Sequence, residues 1–192
     1  MLAHRNILRL AVMLGCVNAL WMACLTVLVL FAQDVLGLDA VGYGLLLTSG
    51  AAGGVLGGLA APRICVAFGV RRSVAAGLAT FALGYLMIAL TRHPVVAGAA
   101  LAIEAAGSMV WNVATVSWRQ RVIPDDVLGR VNGIYRFFGW GSMPLGALAG
   151  GVIVSMASGP FGLDAALRLP FWLAFAGCVA LFAYAVTRLR LD

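Results

Sequence analysis

The chain has 192 residues, of which 63% are hydrophobic and 10% charged, whereas a water-soluble domain has about 45–50% apolar and about 25% charged residues. Its 13 basic and 7 acidic side chains are too few to cover a globule that faces water on all sides, so the composition excludes one. The net charge of +6 does not predict nucleic-acid binding, because the charges are scattered between long apolar runs.

Six long apolar stretches predict the membrane-spanning elements. In chain order they cover residues 10–32, 40–62, 73–91, 94–117, 131–157 and 169–187. Each is near or above the roughly 20 residues that a helix needs to cross a bilayer. Uninterrupted runs of this kind lack the alternation of barrel strands. We therefore predict an all-α membrane protein in which residues 1–192 form one bundle of six transmembrane helices.

The connections between the spans are short. Pro124 followed by Asp125 and Asp126 is typical of a helix start, and predicts a short interfacial helix ahead of the fifth span. All arginines except Arg92 and Arg168 fall at span ends on one side of the bundle. By the positive-inside rule, this bias predicts that both termini are cytoplasmic.

Glycines recur at four-residue spacing in two of the spans. The second span has Gly50, Gly54 and Gly58, with Gly53 and Gly57 as a second row, and the fifth span has Gly146 and Gly150. Such rows allow another helix to pack very close. The second and fifth spans occupy corresponding positions in a three-plus-three arrangement, as in transporters with inverted repeats. Glycine-rich packing in a membrane protein of another kind is the alternative.

A polar stripe follows the fourth span. It consists of Glu104, Ser108, Trp111, Asn112 and Thr115, which lie within about 100° of one another on a helix. A carboxylate near the bilayer centre costs about 2.5 kcal/mol or more, so Glu104 must face protein or a water-filled cavity. We predict that it faces the substrate path and carries a proton. The alternative is a hydrogen-bonded glutamic acid that locks two helices together.

Two further pairs are candidates for lining the same path. Arg136 and Trp140 lie on the fifth span, where Arg136 is shallow enough to reach the cytoplasmic surface instead. Asn18 and Trp21 lie on the first span, and helix packing is an equal interpretation for them.

The chain has no spacing that predicts a metal site, a disulfide or a cofactor. The four cysteines form no C-x-x-C pair, and each lies in or beside an apolar run. A six-helix intramembrane serine protease is the rival from another class, and it needs a G-x-S-x-G serine and a histidine on a later helix. Ser142 does not fit that pattern, and His4 and His93 lie outside the spans. We therefore predict that the chain is not an enzyme, and nothing resembles the filter of a channel.

The end of the second span and the residues that follow it resemble the signature loop of the major facilitator superfamily. The matching residues are Gly58, Arg63, Gly69, Arg71 and Arg72, and Pro62 stands where the signature has an aspartate. A second stretch, from Trp111-Asn112 through Arg119-Gln120-Arg121 and Leu128-Gly129-Arg130-Val131-Asn132 to Pro144-Leu145-Gly146, resembles bacterial exporters of the macrolide and siderophore efflux type.

The resemblance covers nearly the whole chain and corresponds to the last six helices of a twelve-helix transporter. It implies a half with a 3+3 inverted repeat, in a bacterial plasma membrane, that exports a small amphipathic compound of the drug or siderophore class in exchange for protons. It also implies a partner, either an amino-terminal half on another chain or a second copy. The first, second, fourth and fifth spans would face the path, and the third and sixth the lipid. A truncated product that does not transport is the alternative.

Overall fold

A computed structural model describes the backbone of residues 2–189 and 191, and side chains from Arg5 onward. Arg190 and the side chain of His4, both used in the sequence predictions, lie outside the described residues. Within the described part, all regular structure is helical, which confirms the all-α prediction. The helices are α1 (Leu2–Asp34), α2 (Ala40–Leu90), α3 (Pro94–Val122), α4 (Asp125–Gly141), α5 (Met143–Phe161) and α6 (Leu163–Arg188).

Five helical segments of the described chain are long and apolar enough to cross a membrane. One is the whole of α2, with 51 residues, and another runs through α4 and α5 from Asp125 to Phe161. The predicted second and third spans therefore lie on one helix without the expected loop. The predicted fifth span is divided between two helices.

A sharp break at Gly69 explains the unusual length of α2. Gly69 has φ 74° and ψ 166°, a backbone conformation that side chains rarely permit and glycine tolerates. It separates a first limb, residues 40–68, from a second limb, residues 70–90.

The two limbs run in opposite directions along α3. On the first limb Gly53 and Gly57 lie against Ala102 and Ala106, so both segments advance together. On the second limb Gly77 lies against Gly107 and Gly84 against Ala100, so the order is reversed. The chain therefore turns back on itself at Gly69 with almost no loop.

The break in the fifth span lies at Ser142, just before Pro144. Proline has no amide hydrogen to continue the helical ladder, and this accounts for an interruption here. The helix start predicted after Pro124 is confirmed, because α4 begins at Asp125, and this helix continues without interruption into the span up to Gly141.

Glycines bring two pairs of helices into backbone contact. A methyl group added at Gly53 or Gly57 would overlap the backbone of α3, and one added at Gly146 or Gly150 would overlap α1 at Ala19 or Ala23. The predicted close packing is therefore present. On the second span the close contact with α3 is made by Gly53 and Gly57. The row of Gly50, Gly54 and Gly58 is at ordinary van der Waals distance from α3.

The two ends of the bundle differ in charge. At one end Arg9 donates to the Arg188 carbonyl at 2.8 Å and Arg71 donates to the Val186 carbonyl. At the other end Arg168 lies beside Asp164 and the end of α2. The structure thus groups the span ends as the arginine pattern predicts, and which end is cytoplasmic stays a prediction.

Candidate functional site

Glu104 lies where four segments of the bundle meet. It lines a cavity of about 20 Å³ together with Trp21 and Cys24 of α1, Tyr85 of the second limb of α2, and Phe171 of α6. Glu104 is the only glutamate in the sequence, and no aspartate falls inside the six predicted spans. The six predicted spans therefore contain one acidic side chain.

The polar groups around this cavity have few protein partners. No hydrogen bond or ion pair joins Glu104 to another described residue. The Tyr85 hydroxyl is buried and has no hydrogen-bond partner there either. A cavity of this size can hold one water molecule when polar groups line it. Glu104 thus lacks the partner that a helix-locking glutamic acid requires.

The predicted stripe on α3 is divided between two environments. Trp111 is buried, with its ring centroid 6.5 Å from that of Phe81 on the second limb of α2. Asn112 is exposed, and its side-chain amide has no partner among the described residues. Ser108, one turn before Trp111, is half-buried. The second limb of α2 covers Trp111, and the lining of a path by this stripe stays a prediction.

The two candidates on α1 have different roles. Trp21 lines the small cavity beside Glu104, and its part in a substrate path stays a prediction. Asn18 donates from Nδ2 to the Gly139 carbonyl at 2.9 Å, and Ser142 donates to the same oxygen at 3.0 Å. Asn18 therefore joins α1 to α4 near the break, which is the packing interpretation.

Arg136 and Trp140 lie on the outer surface of α4. The Arg136 guanidinium carbon is 5.9 Å from the centroid of the Trp140 ring, and Trp140 is 68% exposed. Neither side chain lines the cavity of Glu104. Their part in lining a substrate path therefore stays a prediction.

A contact that the sequence analysis missed joins α3 to α4. Arg119 donates from Nη1 to Oδ1 of Asn132 at 3.1 Å, and its guanidinium carbon lies 3.8 Å from the centroid of the Tyr135 ring. An arginine and an aromatic ring 16 positions apart give no sequence signal, because only the fold brings them together.

The signature-loop residues cluster around the break in α2. Gly69 is the break itself, Arg71 donates to Val186 on α6, and Arg63 and Arg72 are exposed. Gly58 lies farther up the first limb against Met109 of α3. The loop therefore contacts α6 through Arg71, and Gly58 contacts the middle of α3.

The comparisons with known proteins give the family. The family model for transmembrane secretion effectors matches residues 3–189. No curated protein matches the chain. Because the match covers almost the whole sequence, the chain belongs to the transmembrane secretion effector family, whose members are transporters of the major facilitator type.

Proposed function

We propose that the chain is one half of a proton-coupled exporter for small amphipathic compounds of the drug or siderophore class. The family supports transport or secretion across a membrane. The carboxyl group of Glu104, at the junction of four segments and without a protein partner, is the observation that carries the proton coupling. A group of this kind can bind and release a proton, and intramembrane acids are functional candidates by default.

The proposed topology has six crossings arranged as two groups of three. The opposite directions of the two limbs of α2 support separate crossings for residues 40–62 and 73–91. In this arrangement α1 and the two limbs of α2 form one group, and α3, α4 with α5, and α6 form the other. Glu104 then lies between the groups, since its cavity is lined from α1, α2, α3 and α6.

The exposed amide of Asn112 supports the presence of a second helix bundle that packs against this one. Asn112 lies inside the predicted fourth span, and an unpaired amide in hydrocarbon costs several kcal/mol. A water-filled path between this bundle and another one removes that cost. The other bundle can be an amino-terminal half or a second copy of this chain, and the proposed site is the bacterial plasma membrane with both termini in the cytoplasm.

The test is transport by the assembly that contains the chain. The tagged chain is extracted from bacterial membranes in mild detergent, with whatever unit remains bound, and reconstituted into liposomes that contain DNA. Ethidium, an amphipathic cation, fluoresces when it reaches that DNA. An acidic lumen is expected to drive ethidium inward in exchange for protons, and Glu104→Gln is expected to reduce this at least about tenfold.

Asp34→Asn, at the end of α1, is the matched control and is expected to leave transport unchanged. Unchanged proton-driven transport in Glu104→Gln would contradict the proton role. A collapse of expression in that variant would favour a structural role for the carboxyl group instead.

A further inference from the structure

A large cavity opens at the arginine-rich end of the bundle, away from Glu104. It has a volume of about 940 Å³ and lies among the break in α2, the end of α3 and the end of α6. Three arginines line it, and its other walls are mainly apolar. The arginines are Arg71, Arg72 and Arg121, and the apolar lining includes Val66, Phe68 and Val113.

The positive charge of this cavity is not balanced by the described residues. Arg71 donates to the Val186 carbonyl and Arg121 to the Ser117 carbonyl, both neutral acceptors. The two ion pairs in the described chain both involve Asp164, at the opposite end. Three guanidinium groups around one cavity therefore favour an anion, and their planar donors suit phosphate oxygens.

The apolar part of the cavity indicates what carries that anion. Val66 is 88% exposed and Phe68 58% exposed, both on the first limb of α2 just before the break. Apolar side chains this exposed at the end of a membrane bundle are suited to contact with lipid chains. A soluble anion such as inorganic phosphate would use the arginines and leave these side chains without a partner.

We propose that this cavity binds the headgroup of an anionic phospholipid, with the phosphate at Arg72 and Arg121 and the start of an acyl chain along Val66 and Phe68. Basic pockets between helix ends bind such headgroups in membrane proteins. Arg71 positions the cavity wall through its bond to α6. The proposal does not depend on transport or on Glu104.

The test counts lipids bound to the purified full chain. Phosphatidylglycerol and phosphatidylcholine are titrated into the protein in mild detergent, and bound lipid is measured by native mass spectrometry. We expect preference for phosphatidylglycerol, and a loss of its affinity of about tenfold or more in the double variant Arg72→Gln and Arg121→Gln. The matched control, Arg5→Gln with Arg130→Gln, removes the same charge from exposed sites that do not line the cavity, and is expected to change affinity less than about twofold.

Two further arms separate the alternatives. Arg72→Lys with Arg121→Lys keeps the charge but not the planar donors, and is expected to bind more phosphatidylglycerol than the glutamine pair and less than the unchanged chain, which guards against misfolding of the glutamine variant. Inorganic phosphate at millimolar concentration is expected to displace little phosphatidylglycerol. Full displacement by phosphate, equal binding of the two lipids, or an equal loss in the control pair would each overturn the proposal.

Discussion

Glu104 and Tyr85 line the same small internal cavity from different segments, and neither side chain has a hydrogen-bond partner among the described residues. A buried hydroxyl without a partner costs about 1–3 kcal/mol. A single water molecule that bonds both groups would remove this cost, and the cavity is large enough for one. We therefore expect the two side chains to be energetically coupled.

A double-mutant cycle tests the coupling without any transport assay. Tyr85→Phe, Glu104→Gln and their combination are unfolded reversibly in mixed detergent micelles. The interaction energy is expected to lie between about 0.5 and 3 kcal/mol, as for residues in one network. Tyr135→Phe is the matched control, because its hydroxyl is also buried without a partner but lies on α4. Combined with Glu104→Gln, it is expected to be additive, and additivity for Tyr85 as well would contradict the shared network.

The close contact of the first limb of α2 with α3 predicts a sharp difference between neighbouring glycines. At Gly57 a methyl group would overlap the backbone of Ala106, so Gly57→Ala must push the two helices apart. We expect a loss of about 1–3 kcal/mol in the free energy of unfolding. At Gly54 the added methyl would be 3.9 Å from the Ala105 side chain, which is ordinary contact.

Gly54→Ala is therefore expected to be neutral or stabilising by up to about 1 kcal/mol, because alanine favours the helix. Equal losses in the free energy of unfolding for Gly57→Ala and Gly54→Ala would contradict the close approach of the first limb of α2 to α3.

Arg168 closes the end of the bundle opposite the cavity that Arg71, Arg72 and Arg121 line. It donates to the carbonyls of Ala89 at 2.7 Å and Thr91 at 3.0 Å, which end the second limb of α2. Its side chain is 13% exposed, whereas that of Arg92, which pairs with the same Asp164, is 72% exposed. Arg168→Gln is expected to cost about 1–3 kcal/mol, because the carbonyls lose a charged donor.

Arg92→Gln removes an exposed ion pair and is expected to cost less than about 1 kcal/mol. Both are measured by the same unfolding assay. A larger loss at Arg92 would contradict the assignment of this closure to Arg168.

The sequence predicts the helices well because their length and apolarity are set by the bilayer. It does not predict where they break. The arginines between residues 62 and 73 predict that the chain turns back there, but not that the helix continues up to Gly69, whose positive φ depends on how both limbs pack on α3. The fifth span contains a proline, so a break near Ser142 is predictable in kind and not in position.

Of the candidate site, the sequence predicts only Glu104, the side chain whose burial in a membrane costs the most free energy. A lone glutamate in an apolar span must face protein or a water-filled cavity, and Glu104 lines a small cavity inside the bundle. Its neighbours were harder to identify, because a 100° arc on α3 includes Trp111, which the second limb of α2 covers, and Asn112, which stays exposed. Tyr85 is a polar group in an apolar span, but only the fold places it beside Glu104.

The arginine pattern predicts that His93 is outside and Asp125 inside the cell. Both positions are exposed at span ends. Single cysteines are placed there after Cys16, Cys24, Cys65 and Cys178 have been replaced, and intact cells are treated with a membrane-impermeant thiol reagent. Labelling is expected at position 93, and at position 125 only after the cells are opened. Labelling at position 125 alone in intact cells would show that the chain has the opposite orientation in the membrane.

The last prediction concerns the second unit that the proposed function requires. Asn112 and Trp140 are exposed on surfaces of predicted spans, and Asn112 carries an amide that hydrocarbon cannot satisfy. The transporting species extracted in mild detergent is therefore expected to exceed the 20.0 kDa of this chain after detergent and lipid are subtracted. A different six-helix unit is the expected partner, because the resemblance is to the last six helices of a twelve-helix transporter. Light scattering gives the mass of the assembly, and mass spectrometry identifies its chains. A monodisperse single chain that transports ethidium in liposomes by itself would contradict the half-transporter.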